Sequence, residues 1–392
     1  MPWRETTVME ERFRFVTRRL EGESMTALCR EFGISRKTGH KIFARYKEHG
    51  LEALRDRPRQ PRRNVNRLPM PVEALIVTLK REKPHWGARK LRELLARRLG
   101  DGIPVPARST IHAVLDRHGL VEHVRERHPR ATGTPLGEAA APNDIWCTDF
   151  KGEFRLGDRR WCFPLTATDQ LSRFLLLCEA LEGTQEAPVI TAFHRLFEER
   201  GLPLAIRSDN GGPFASRGLY GLSELSVWWL RLGIRLERIA PGCPQQNGRL
   251  ERLHLTLKQE TTRPAAENAL QQQARFDAFR EEFNTERPHE ALGMKTPAEV
   301  YTASPRRYAG LPELEYPLHD RDIVVTASGV ICLCGRPVFI SSVLAGQRLG
   351  LREVEPDVWL VSFMHYDLGY IDLEARGLQT IDSPFAAPPV PL

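Results

Sequence analysis

"DIWCTDFKGEFRLGDRRWCFPLTATDQLSRFLLLCEAL", residues 144–181, decides the fold. Apolar and aromatic residues come in short runs broken by Gly and Asp, which predicts three successive strands: DIWCTDFKGEF, RRWCFPLTATD and RFLLLCEAL. The turn RLGD joins the first two. Downstream, Thr184 can cap a helix over about 185–200 that Gly201 closes. PLAIRSD (203–209) is a short buried strand, GLSELSVWWLRLG (221–233) a helix and IRLERIA (234–240) another strand. A further helix opens at Gly248. The order βββαβαβα specifies a mixed sheet with helices packed against it.

Working outward, two helical blocks precede this region. ESMTALCREFGISRKTGHKIFARYKEHG (23–50) reads as helix, turn, helix: Ser24 and Ser35 cap the two helices, and Gly33 supplies the positive φ of the turn. Leu28, Ile34, Ile42, Phe43 and Tyr46 can form a small core. Arg36, Lys37, Lys41 and Arg45 are left on the outside, where a second helix lying in the major groove would present them to DNA. Gly39 inside that helix costs roughly 1 kcal/mol relative to Ala. RDRPRQPRRNVNR (55–67) is kept extended by proline, and its Arg57, Arg59, Arg62 and Arg63 suit a phosphate backbone or minor groove. VEALIVTLKRE, GARKLRELLARRLG and ARSTIHAVLDRHGL form a second helical unit of the same kind.

The predicted organisation is therefore a helix-turn-helix domain over 1–54, a basic linker over 55–70, a second helix-turn-helix domain over 71–128, a linker over 129–142 and an α/β core over 143–303. Short strands with turn signals over 320–383 suggest a small C-terminal β-barrel. The tail SPFAAPPVPL has a disordered composition.

Charge divides the chain. Residues 1–140 hold 30 Lys+Arg and 17 Asp+Glu, a net of +13, whereas the remainder holds 27 and 33, a net of −6. A basic third on a mildly acidic body points to nucleic acid. No apolar run is long enough to span a membrane, and no secretory leader is visible, so a cytoplasmic protein is expected. Seven cysteines without framework spacing suggest a reducing compartment. Cys332 and Cys334 would share one face of a strand as small core residues, since no second pair accompanies them for zinc.

Three acids carry the chemistry. Asp149 lies mid-strand, and Asp209 ends a strand just before Asn-Gly-Gly. Glu251 falls in the first turn of the helix behind PGCPQQNG, beside the apolar stripe of Leu250, Leu253 and Leu257. Asn247 is placed to cap that helix. Taken singly, these acids are a capped strand residue, a turn former and a complement to the helix dipole. Brought together, they need divalent cations, and oxygen-only ligands select Mg²⁺ or Mn²⁺. Such a site can hold two ions roughly 3.5–4 Å apart for an in-line displacement at phosphorus.

The series WCTDFKG, IRSDNGGPF and PQQNGRLERLHLTLKQE resembles the DDE catalytic core of retroviral-integrase-like transposases, with Asp209 sixty residues after Asp149 and Glu251 forty-two further on. FNTERPHEALGMKTPAEVY (283–301) is similar to the segment that closes this core in bacterial insertion-sequence transposases. The resemblance implies a ribonuclease-H-like fold, two bound Mg²⁺ (or Mn²⁺) ions held by Asp149, Asp209 and Glu251, and cutting and joining of DNA at terminal inverted repeats. It implies a dimer or larger assembly on double-stranded DNA, terminal repeats and target alike. It also implies that Asn247 shapes the loop beside the acids and that Lys258 contacts DNA ends. Asp169 matches an acid often present after the second strand and reads as structural, capping Ser172 or pairing with Arg173. Cys243 stands where relatives commonly show His, and Ala107 where they often have a capping Ser. The stretch GLYGLSELSVWW lengthens the interval between Asp209 and Glu251. The zinc domain of retroviral integrases is absent, which favours an insertion sequence. Two other functions share these features: a domesticated, non-catalytic DNA-binding regulator, and a ribonuclease-H-like nuclease.

Overall fold

The computed structural model describes residues 7–56, 68–99, 102–122, 136–240, 243–375 and 377–385. The chain divides into two compact units, Met1–Met70 and Pro71–Leu392.

Among its described residues the first unit holds α1 (Val8–Leu20), α2 (Met25–Glu31) and α3 (Arg36–His49), followed by a 3-10 turn (Leu51–Leu54). Ser24 and Ser35 accept from the backbone amides of Ala27 and Thr38, as their cap positions require. The sequence pattern did not foretell α1, which begins at a capping box between Thr7 and Glu10. Its Phe15 and Val16 complete a core with Met25, Leu28, Cys29 and Leu54. Gly39 is explained by that core. A Cβ there would collide with the Cys29 sulfur and lie 3.0 Å from Met25 Sδ and Phe15 Cζ, so glycine lets α3 approach its neighbours.

In the second unit, α4 (Met70–Glu82), α5 (Ala88–Arg98) and α6 (Arg108–Arg117) bury Ile76, Leu79, Leu91, Leu95, Ile111 and Val114. The N-cap of α6 is Ala107, which offers no side-chain bond.

The central sheet holds β1 (Ile145–Phe150), β2 (Phe154–Arg155), β3 (Trp161–Asp169), β4 (Leu175–Leu181), β5 (Ala205–Ser208) and β6 (Arg235–Arg238). Its order is β4-β3-β1-β5-β6, with β2 also on β3. β1 runs antiparallel to β3 and parallel to β5, and β5 parallel to β6. The first predicted strand is broken at Gly152, whose φ is 86°. Helices α7 (Glu186–Arg200), α8 (Glu224–Arg231), α9 (Gly248–Thr261) and α10 (Ala269–Thr285) cover the sheet. On one side, Phe193, Phe197 and Trp229 pack on Trp146, Leu165 and Ile206. On the other, Leu250, Leu253 and Leu257 join Phe276, Phe279 and Cys147. Side-chain amides of α10 finish the edge strand β4: Asn284 bonds both the amide and the carbonyl of Leu175, and Gln273 accepts from Ala180.

The C-terminal region differs from the predicted barrel. Strands β7 (Arg321–Val324), β10 (Arg348–Glu355), β11 (Val358–Phe363), β12 (Tyr366–Asp372) and β13 (Gly377–Thr380) form an antiparallel sheet in the order β13-β12-β11-β10-β7, with β8 (Val330–Leu333) and β9 (Arg336–Phe339) as a separate hairpin. Strand pairing does not close the sheet among the described residues. Ile331, Leu333 and Val338 of the hairpin instead cover the core of Leu349, Leu351, Trp359 and Val361 by packing. Cys334 and Gly335 turn the hairpin with φ of 50° and 74°. Cys332 and Cys334 are exposed, not core residues, and all seven cysteines are free. Phe385 packs on Tyr220 and Tyr366, so the tail predicted as disordered is docked at its start; residues 386–392 lie outside the described ones.

The stretch between Asp209 and Glu251 links two cores. Helix α8 turns Leu225 and Trp229 towards the central sheet, while Val227 and Leu230, with Leu222, enter the C-terminal core. The hydroxyl of Tyr220 donates to Leu368 O at 2.5 Å, and Arg231 donates to Gln347 at 2.7 Å. Among the described residues no helix is long and apolar enough to cross a membrane.

Candidate active site

Asp149 sits in the central strand β1. The parallel pairing of β1 with β5 runs Ile145 to Ala205 and Cys147 to Arg207, an offset of sixty. The same offset carries Asp149 beside Asp209, which directly follows β5, so the sequence interval between the two acids is the register of the sheet. The Asn-Gly-Gly that follows allows the turn: at Gly211 a Cβ would come within 3.0 Å of Asp209 Oδ2. Glu251 lies in the first turn of α9, which its three leucines press onto the sheet below Cys147.

Electrostatics connects the three. Burial first, then the charge of Asp209 and more weakly that of Glu251, raise Asp149 to about 7, against a lowering bond from the Phe150 amide. Asp209 Oδ1 is buried without a hydrogen-bond partner. An orphaned carboxylate oxygen beside an acid burdened by like charge suits a hard cation, and the donor set is all oxygen. Glu251 is exposed, and among the described residues no three acids, histidines or cysteines are gathered closely enough to hold an ion. The aspartates are thus side by side, and the glutamate stands at their rim.

The predicted DNA contacts fare unevenly. Arg36, Lys37 and Lys41 are exposed on α3. Arg45 instead turns back, donating to Ala53 O at 2.6 Å and Arg55 O at 3.2 Å. Arg57, Arg59, Arg62 and Arg63 lie outside the described residues. Asn247 makes no cap bond: it ends a 3-10 turn (Pro244–Asn247), and its amide is buried with neither atom partnered. Lys258 is exposed, and its charge, after burial, lowers the pKa of Lys151. Asp169 is structural, accepting from Asn143 N at 2.7 Å, Ser172 N at 2.8 Å and Ser172 Oγ at 2.6 Å.

Sequence reading missed His254. Its Nε2 lies 2.8 Å from Thr166 Oγ1, and that hydroxyl donates to Asp149 O at 3.1 Å. Burial, then the charge of Lys151, lowers its pKa to about 4. The available signal was its place three residues after Glu251, one helical turn further along α9.

Comparison with known proteins bears on the helical units and the central core. Integrase core domain families match residues 139–244 and 232–297. A helix-turn-helix domain family matches 11–62, and a homeodomain-like family 38–115. An uncharacterized 31.7 kDa protein of insertion element IS407 from Burkholderia multivorans is 28% identical over 246 residues, covering 62% of this chain and 84% of the relative. An uncharacterized 39.2 kDa protein of insertion element IS476 from Xanthomonas euvesicatoria is 27% identical, covering 58% of this chain and 64% of the relative. Among solved structures, the HTLV-2 integrase catalytic core domain in complex with magnesium aligns at 17% identity and a TM-score of 0.34, over 42% of this chain and 100% of that one.

Proposed function

The chain joins helix-turn-helix domains to an integrase core domain in the manner of insertion-element proteins, and from that premise we propose that it is a DNA transposase. In this reading the helical units bind the terminal inverted repeats, and a ribonuclease-H-like core cuts a phosphodiester and joins the freed 3′-hydroxyl to target DNA. The observation that carries it is the placement of Asp149 beside Asp209 with Glu251 acting on the same charge.

Asp149, Asp209 and Glu251 would hold Mg²⁺ or Mn²⁺. Bound there, two ions would lower the pKa of the attacking hydroxyl and neutralise charge on the leaving oxygen. The protein's own part is positional. Strand register fixes the two aspartates, and α9 presents Glu251. At neutral pH the raised pKa of Asp149 keeps a proton on part of the population, which must leave before the carboxylate can coordinate. Two DNA ends must be held together for joining, so a dimer or larger assembly on double-stranded DNA follows from this reading.

Purified protein with Mg²⁺ and a duplex carrying the ends of its own element should cut and join strands. Asp149→Asn, Asp209→Asn and Glu251→Gln should each lose this activity and keep DNA binding. Full activity in any one of them would remove that residue from the site.

A further inference from the structure

The seam between the second helical domain and the central core is built from ions. Lys83 pairs with Glu282 at 2.7 Å and Glu286 at 3.2 Å, Arg89 with Glu290 at 2.8 Å, and Arg97 with Glu299 at 3.3 Å. Trp86, only 1% exposed, lies at its centre, with Lys83, Lys90 and Arg287 over its ring. These pairs hold the two parts together and consume the acids along the seam.

Beside the seam opens a cavity of about 540 Å³ lined by Arg89, Lys90, Arg108, Ser109, His112 and Glu290. Its only carboxylate among these residues, Glu290, is already bonded to Arg89. Lys90 forms no ion pair among the described residues, and burial, followed by the charge of Arg287, lowers its pKa to about 8. Helices α5 and α6 both begin here without a side-chain cap, so their first amides are left for an outside acceptor. The positive charge continues along α9. Arg249 and Arg252 flank Glu251 and are exposed, and Arg252 lies within electrostatic reach of Lys90. Arg173, on the turn after β3, adds a further cation near both arginines. Cations gathered this way repel one another, and a polyanion offsets that cost while releasing its own counterions. One small anion would fill the cavity and leave the arginines of α9 unserved.

We propose that the cavity and the α9 arginines form one channel, in which Lys90, Arg108 and Arg252 bind backbone phosphates of duplex DNA running from the second helical domain to the acids. The proposal deepens the transposase reading and rests on it for the direction of the DNA.

The test uses the full chain and a fluorescent short duplex of arbitrary sequence, with affinity measured over a salt series. Lys90→Gln, Arg108→Gln and Arg252→Gln should each reduce the slope of log affinity against log salt by roughly 0.9, and the triple variant by roughly 2.7. Lys90→Arg, which keeps the charge, should retain the slope, and thermal unfolding should show that every variant is folded. A folded triple variant with the original slope overturns the channel. Mg²⁺-dependent strand cutting on element ends separates the two ideas. Cutting by the wild type with unchanged slopes removes the channel alone. Reduced slopes with no cutting by the wild type keep the channel and remove the transposase reading.

Discussion

His254 on α9 and Thr166 on β3 are joined at 2.8 Å, directly across the strand pair from Asp149. The single Thr166 proton goes to the Asp149 carbonyl, so the imidazole must be the donor, and its Nε2 carries hydrogen. The tie fixes how far along the sheet the helix that bears Glu251 can slide. It is a positioning contact, since His254 reaches the Thr166 hydroxyl and, through it, the Asp149 carbonyl, and not the acid side chains themselves.

Replacing that donor should therefore separate stability from binding. His254→Ala leaves a buried hydroxyl short of one partner and a void beneath α9, a loss of about 1–3 kcal/mol. Urea unfolding should show it, and strand cutting should fall further than DNA affinity. An unchanged urea midpoint would mean that the helix is held by its leucines alone.

Acid should weaken the second unit through two half-buried imidazoles. Burial lowers His254 to about 4 and His289 to about 3, from an ordinary 6.5. As pH falls, the unfolded chain takes up protons first. The stability these groups contribute is complete above about 6.5 and is lost as pH drops towards their folded values. Thermal midpoints should decline from pH 6.5 to pH 4, and less steeply in His289→Gln.

Asp149 acts in the opposite sense. Its pKa rises from 3.8 to about 7, so the folded state holds the proton more tightly, and stability falls as pH climbs through that window. At pH 8, Asp149→Asn should be more stable than the wild type by on the order of 1–3 kcal/mol, although inactive. Mg²⁺ should raise the melting temperature of the wild type and leave that of the variant nearly unchanged. A variant that melts lower at pH 8 would show that burial and like charge do not burden this position.

Gly39→Ala sets helix propensity against packing. Alanine favours an isolated helix by roughly 1 kcal/mol, but the added methyl meets Cys29, Met25 and Phe15. Overpacking of about 1–3 kcal/mol should win. The first unit should then melt earlier and bind DNA more weakly, and calorimetry on the full chain would resolve its transition from that of the second unit.

Much of this architecture was legible before any coordinates. Leu250, Leu253 and Leu257 announced their buried stripe, Ser24 and Ser35 their caps, and the strand order its mixed sheet, because periodicity and capping are local chemistry. Asp169 was rightly read as a structural acid from its neighbour Ser172. What failed depended on backbone geometry and partners that residue type alone does not disclose. Asn247 has the composition of a cap, but the 3-10 turn before α9 takes its backbone out of cap geometry. Arg45 looked free until its carbonyl acceptors at Ala53 and Arg55 folded back towards it. The C-terminal strands announced themselves singly, yet whether a sheet closes depends on which edges meet. His254 gave only a spacing, because its partner Thr166 lies 88 residues away in sequence.

Helix α8 serves two hydrophobic interiors at once, and this restricts how the molecule can be cut or shuffled. A fragment ending near residue 303 would bring Leu222, Val227 and Leu230 into water and should clump on purification. Exchanging the last domain for one from another source would need the GLYGLSELSVWW segment exchanged with it. The two regions are heritable only as a matched set.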